Sequence, residues 1–310
     1  MAKYIIKRLL VVIPTLLFIV FVVFFILNIT PGDPGRIMLG PTATQEQVDM
    51  LNESLGVNRP LLVRYGEYIW NALHGDFGTS YTFNVPVTSV LMPKFPTTLK
   101  LAVLSVVFSA LLGIPLGILS AVKKHSLLDH MLTVIALFLA SVPGFWLGLM
   151  LMLMLFLSLQ LGLLPSSGVG TWQHFVMPVM TLALPSAAFI SRLTRTTMLD
   201  SMNQDYIRTA KGKGARDGRV IFRHALRNAL IPVITQLGMN FAGLLGGAMI
   251  TEIVFGLPGF GNAIVAAIKA KDVPLTMFSV VFLSTTFMVI MLVVDLIYAF
   301  VDPRIKAQYE

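Results

Sequence analysis

Residues 205–232 read DYIRTAKGKGARDGRVIFRHALRNALIP. The stretch is strongly basic and sits between two apolar runs in an otherwise oily chain. Nine basic residues lie between Arg192 and Arg227: Arg192, Arg195, Arg208, Lys211, Lys213, Arg216, Arg219, Arg223 and Arg227. Such a density beside a membrane span marks a loop on the cytoplasmic side. The small residues Ala210, Gly212, Gly214 and Ala215 leave room for another protein's surface to approach closely.

The remainder of the chain sets the solvent. Its 310 residues are 56% hydrophobic and only 12% charged, a composition that calls for a bilayer rather than water around most of the surface. The net charge of +8 does not point to nucleic acid. The basic residues follow membrane sidedness and form no single basic face. With no cysteine, disulfides, thiolate metal sites and cysteine catalysis are excluded.

A helix needs about 20 apolar residues to cross the hydrocarbon core. Six runs are candidates: 9–29, 99–122, 132–157, 175–190, 231–254 and 275–301. Lys3, Lys7 and Arg8 precede the first, whose 21 residues exceed the roughly 7–15 of a cleaved signal's apolar core. A retained first span is expected. Pro178 and Pro185 predict that the fourth run either kinks or continues past Arg192, and Pro143-Gly144 predicts a similar irregularity in the third. With the N-terminus inside, sixteen basic residues fall on the cytoplasmic side and seven outside. That asymmetry predicts six transmembrane helices with both termini cytoplasmic, an all-α polytopic membrane protein.

Three segments follow: an N-terminal transmembrane helix (1–30), an extracytoplasmic helical cap (31–97), and a five-helix core (98–310). The core contains the basic loop 192–228 and a short outer helix within 255–274. In the cap, Thr44 and Gln47 form a capping box. Val48, Leu51 and Leu55 repeat at helical spacing up to Gly56, and Pro60 opens a second helix with Leu62, Tyr65, Ile69 and Leu73 as its apolar stripe. A structural role and a partner-docking role both fit this cap. Ala263, Ile264, Ala267 and Ile268 form the stripe of the short outer helix, after Gly256, Pro258, Gly259 and Gly261. Three GxxxG pairs, Gly113/Gly117, Gly144/Gly148 and Gly243/Gly247, each place two glycines on one helix face for close packing.

The chemistry-bearing patterns of enzymes are missing. There is no HExxH zinc motif, no GxSxG elbow and no EF-hand loop. His74, His125, His130, His174 and His224 are scattered without ligand spacing, and the 17 methionines are spread as core residues would be. Gly212-Lys213-Gly214 is too short to cradle a triphosphate, so ATP hydrolysis would reside on other chains. Two acids stand in or near the spans. Asp295 fits a structural tie or a transport path. Glu252, at the outer end of the fifth run, fits a path or outer gate together with Gly259 and Gly261, or an anchor for the Gly-rich turn that holds them.

Several stretches resemble the dipeptide/oligopeptide branch of binding-protein-dependent ABC importer permeases. The likeness is densest at YIRTAKGKG followed by HALRNALIP. There Arg208-Thr209-Ala210 takes the place of the family's Glu-Ala-Ala, and Gly214 falls at its glycine. It extends through the start KYIIKRLL, then TPGDP, GDFGTS, TEIVFGLPGFG and the end VDLIYAFVDPRIK. The resemblance implies a type I ABC importer permease fold. It implies a permease subunit for peptides, or for nickel chelates or glutathione on the same scaffold, in a bacterial cytoplasmic membrane. The implied partners are a second homologous permease, two ATP-binding subunits that carry ATP and Mg, and an extracytoplasmic solute-binding protein, with no cofactor on this chain. It further implies that Asp205, Tyr206, Ile207, Arg208, Thr209, Ala210, Lys211, Gly212, Lys213, Gly214 and Ala215 dock on an ATPase. Arg223, His224, Arg227 and Asn228 would then brace the loop against the fifth span.

Overall fold

The computed structural model describes residues 2–29, 32–158, 164, 165 and 167–301. Among them everything regular is helical apart from one isolated bridge between Thr79 and Pro86. In chain order the helices are α1 (Ala2–Ile29), α2 (Pro34–Leu39), α3 (Gln45–Ser54), α4 (Leu61–Leu73), α5 (Val87–Leu91), α6 (Phe95–Val122), α7 (Leu127–Ser141), α8 (Gly144–Ser158) and α9 (Val176–Met202). Then come α10 (Asp205–Gly212), α11 (Asp217–Arg219), α12 (Leu226–Gly247), α13 (Met249–Val254), α14 (Phe260–Lys269) and α15 (Val273–Val301). A π-helical turn, Val220–Ala225, leads into α12.

Among the described residues five stretches are long and apolar enough to cross a membrane: Leu10–Ile29, Val87–Val122, Trp172–Met202, Asp217–Gly246 and Val273–Val294. A sixth is made only by α7 and α8 together, and they meet at a bend of 104°. The run 132–157 is therefore not one straight span. Pro143 has no amide hydrogen and pushes its predecessor out of the helical region, and Val142 accordingly sits at φ −78°, ψ 126°. Each half has 15 residues, about 22 Å of helix, which falls short of a bilayer core. The fourth run takes one of its two expected courses and continues past Arg192. α9 continues unbroken to Met202, so Arg192 and Arg195 belong to a helix and not to the loop. The side chain of Asp295, and Asp302 altogether, lie outside the described residues.

The chain divides into two compact units, one within Met1–Thr97 and Pro258–Met288, the other within Thr98–Leu257 and Val289–Glu310. In the first, Val20 and Phe24 of α1 are buried with Met277 of α15, and Tyr65, Tyr68 and Ile69 of α4 pack on them. The expected stripe of α4 is thus partly rotated: Tyr65 and Ile69 turn inward, while Leu62 and Leu73 are exposed. The Thr44–Gln47 capping box is present in both directions, and Val48 is fully buried. Asp33 caps α2. Its carboxylate is held below the usual range chiefly because Asn52 donates to it at 2.8 Å. A second cluster joins Val87 and Leu91 to Phe260, Ile264 and Ala267 of α14 and to Leu275 and Phe278 of α15. Ile264 and Ala267 bear out the expected stripe, whereas Ile268 is exposed.

In the second unit, α9 is the central helix. The Gly113/Gly117 pair of α6 lies directly on its backbone. A Cβ at Gly117 would stand 2.5 Å from the Ser191 carbonyl oxygen and 2.6 Å from Thr194 Cβ. By contrast, a Cβ at Gly144 or Gly243 would meet nothing within 4 Å. We expect Gly117→Ala to destabilise the folded chain by about 1–3 kcal/mol, because a main-chain carbonyl cannot step aside as a side chain can. Gly144→Ala should be neutral. Thermal stability of the two variants in detergent distinguishes them, and equal stability would show that α6 and α9 are not in this close contact.

Candidate functional site

The basic segment is anchored from beneath by one apolar residue. Ile207 of α10 is only 2% exposed and packs in a cluster with Ala121, Met198, Val220, Ala225 and Ala229. It faces its own chain and is not available to a partner, unlike the expectation that it belongs to a docking face. Ala210, one turn on, is half-buried, and Ala215 is likewise half-buried. The outer face of α10 presents Asp205, Tyr206, Arg208, Thr209, Lys211, Gly212 and Lys213, all exposed. Arg208 and Asp205 approach to 3.5 Å at 79% and 95% exposure. A pair so open to water holds neither side chain in place.

The helix ends in a tight cap. Gly214 N–H donates to the Lys211 carbonyl at 2.9 Å, and Ala215 N–H donates to the Ala210 carbonyl at 3.1 Å. This crossed pair needs a left-handed residue between helix and exit, and Gly214 supplies it at φ +77°. That gives a physical reason for glycine at this position. Gly256 does the same after α13, at φ +59°.

Of the four residues expected to brace the loop, Asn228 does so directly. Its Nδ2 donates to the Tyr206 hydroxyl at 3.0 Å and to the His224 carbonyl at 3.3 Å. The side chains of Arg223 and Arg227 are exposed and form no hydrogen bond among the described residues.

A stronger tie lies next to the segment. Asp129 of α7, 3% exposed, accepts Arg195 Nε at 2.7 Å and Arg195 Nη2 at 2.8 Å. It also accepts the Ser120 hydroxyl and the His125 N–H. One carboxylate thus joins the end of α6, the turn after it, α7 and α9. Sequence reasoning counted Arg195 as a loop charge and passed over Asp129. The available signal was an acid three residues after Ser126, which caps α7 through the Asp129 N–H.

Glu252 is fully buried in α13 and accepts the Thr98 hydroxyl at 2.5 Å. Gly259 stands just before α14, and Gly261 is buried within it. A polar strip that the sequence reading missed crosses α9 and α12. Gln236 Nε2 donates to Asn240 Oδ1 at 2.9 Å, and Asn240 Nδ2 donates to Ser186 Oγ at 2.9 Å. With Phe189 and Met239 these residues line a cavity of about 440 Å³. Their signal was two amides four residues apart inside an apolar run, where polar groups are retained for a bundle interior or a water-filled passage.

Comparison with known proteins fits this architecture. Residues 113–307 match the family described as binding-protein-dependent transport system inner membrane component, and residues 1–102 match its N-terminal companion family. The glutathione transport system permease proteins GsiC of Escherichia coli (strain K12) and of Salmonella typhimurium are each 39% identical to this chain over 306 residues. The match covers 99% of this chain and of each relative. Among solved structures, an inward-facing MetNI methionine ABC transporter superposes with a TM-score of 0.57 at 18% identity, over 69% of this chain and 97% of the other. An amino acid ABC transporter gives 0.54 at 16% identity, over 70% and 94%. A permease fold reached from both sequence and structure leaves one family. The chain belongs to the binding-protein-dependent transport system inner membrane components and is a multi-pass permease subunit of an ABC importer.

Proposed function

We propose that this chain forms half of the translocation path for glutathione or short peptides in a bacterial cytoplasmic membrane. The second half would be a homologous permease, two ATP-binding subunits would carry ATP and Mg, and an extracytoplasmic binding protein would deliver the solute. Full-length similarity to permeases named for glutathione transport supports the solute class. The basic residues beside the spans support placing α10 and both termini in the cytoplasm.

The observation that carries the coupling role is the mounting of α10. It joins α9 to α12 through a stretch held by Ile207 at one point and by the Gly214 cap at its end. A partner that grips its charged outer face acts on both spans. ATP can shift the membrane halves only if that partner contacts α10 differently in its two states. The strip of Ser186, Gln236 and Asn240 lies between those same spans. It offers hydrogen-bonding groups without net charge to a solute that carries amides, and movement of α10 would reshape it.

Gentle detergent extraction of the tagged chain, followed by mass spectrometry of its companions, tests the assembly. A homologous permease and one or two ATPases with phosphate-binding loops should be recovered in near-equal amounts. Recovery of the chain alone, still able to transport when reconstituted, would overturn the reading.

A further inference from the structure

Helix α4 lies in the part of the chain that the sequence places outside the membrane, yet it is fastened to α1 well below that helix's outer end. Tyr65 donates its hydroxyl to the Leu17 carbonyl at 2.9 Å. Its ring meets Phe21 edge-on at 5.2 Å and Phe24 at 5.7 Å, and the Tyr68 ring stands 6.2 Å from Phe24. The apolar run 9–29 of α1 is about 31 Å long and has no length to spare across a hydrocarbon core of about 30 Å. Distances along it are therefore depths. Phe24, Phe21 and Leu17 lie about 7, 12 and 18 Å below its end at Ile29. α4 is thus packed beside the hydrocarbon of the outer leaflet and not above it.

The faces of α4 sort themselves to match. A helix advances about 100° per residue. One arc holds Leu61, Tyr65, Tyr68 and Ile69, which pack on Val20 and Phe24 of α1. The adjoining arc holds Leu62, Val63, Trp70 and Leu73, all exposed. Arg64 and Glu67 are confined to the third arc. Both have partners: Glu67 accepts Arg59 at 2.7 Å, and Arg64 donates to the Val57 carbonyl at 3.2 Å and lies 5.9 Å from the centre of the Phe24 ring. Charges at membrane depth are tolerated when they pair with one another or with main-chain carbonyls. The helix also closes its own ends. The N–H groups of Val63 and Arg64 go to the Pro60 carbonyl, and those of His74, Gly75 and Asp76 go back to the carbonyls of Asn71 and Ala72. A segment in hydrocarbon has to satisfy its main chain in this internal way.

We propose that α4 is a re-entrant helix immersed in one leaflet, with Leu62, Val63, Trp70 and Leu73 in contact with lipid acyl chains. Apolar side chains lose free energy by leaving water for hydrocarbon, and a water-soluble partner docking from outside does not reach the depth at which α4 is fastened. The segment 31–97 is then not an aqueous cap throughout, because its longest helix belongs to the bilayer. The inference rests on the proposed orientation only for which leaflet holds the helix.

Spin-label accessibility in the intact transporter, reconstituted in a phospholipid bilayer, tests this. The chain has no cysteine, so with the partners' cysteines replaced a single nitroxide goes on Leu62→Cys, Trp70→Cys or Leu73→Cys, three exposed positions. Oxygen, which concentrates in hydrocarbon, should relax each label strongly. A water-soluble nickel complex should lose most of the effect that it has on the free label in buffer. Relaxation by the nickel complex and not by oxygen would put this face in water and overturn the proposal. Weak relaxation by both would put protein against it, and strong relaxation by both would put it among the headgroups; either result overturns it too. None of these readings depends on solute or uptake. Absence of ATPase subunits from the same preparation would count against the importer assembly and leave the answer from the labels standing.

Discussion

Gly212→Trp is expected to leave the chain inserted in the membrane and to abolish ATP-dependent uptake. Gly212 is the last residue of α10, and a Cβ there meets nothing within 4 Å. The chain's own packing therefore does not resist an indole at this position. The anchor Ile207 and the Gly214 cap are untouched. A helix seated in a partner's cleft has no such freedom, because an indole there must either be accommodated or lift the helix out. A loss of about 3 kcal/mol at that contact weakens it by roughly a hundredfold. Lys211→Glu, on the same exposed face, should act in the same direction by reversing a charge. Membrane levels by immunoblot, uptake by whole cells, and co-purification of the ATPase form the test. Normal uptake by Gly212→Trp would show that this face of α10 carries no coupling contact.

The logic of that variant shows which parts of the site can be read from sequence. Charge density located the segment, and the spacing of Thr44 with Gln47 located a capping box that both hydrogen bonds confirm. These are local signals, legible because the residues that satisfy one another are neighbours in the chain. Gly214 of the basic segment was identified by resemblance, and its reason, a left-handed cap at φ +77°, appears only in the backbone. Which way Ile207 points was not legible at all. Tyr206, Ile207 and Ala210 share helical spacing, and spacing alone does not say which surface lies beneath. That surface is made by Met198, Val220 and Ala229, brought together from three elements.

The same limit applies to the third run. Pro143 marked where its helix breaks, while the size of the bend, 104°, does not follow from the residues beside it in the chain. Long-range polar pairs are harder still. Asp272 with Ser80, and Asn240 with Ser186, are separated by 192 and 54 residues. Each residue alone looks like an ordinary turn or an isolated polar substitution.

Asp129→Leu is the second variant expected to have a large effect, and its effect is on folding. The carboxylate is 3% exposed, while the Arg195 side chain is 27% exposed. Removing the acid leaves a guanidinium that water reaches only in part, together with a Ser120 hydroxyl and a His125 N–H that lose their acceptor. Breaking one side of a buried pair typically costs about 3–5 kcal/mol, and partial access of water to Arg195 places this case toward the lower end. Asp129→Asn keeps an oxygen for Ser120 but surrenders half of the two-pronged contact with Arg195, so an intermediate loss is expected. The decisive member of the set is the double variant Asp129→Leu with Arg195→Met. If the cost of Asp129→Leu is mainly the stranded cation, removing that cation returns at least half of the lost stability, because two apolar groups of matching size can replace a buried pair at little cost. If the double variant is as unstable as Asp129→Leu alone, the carboxylate acts chiefly through Ser120 and the His125 turn, and Arg195 is incidental. The temperature at which half of the purified complex loses its monodisperse elution peak separates these outcomes. Because Asp129 and Arg195 join α7 to α9 close to the segment leading into α10, a variant that keeps its thermal stability but loses uptake would instead place this pair in the transmission of movement from α10 to the spans.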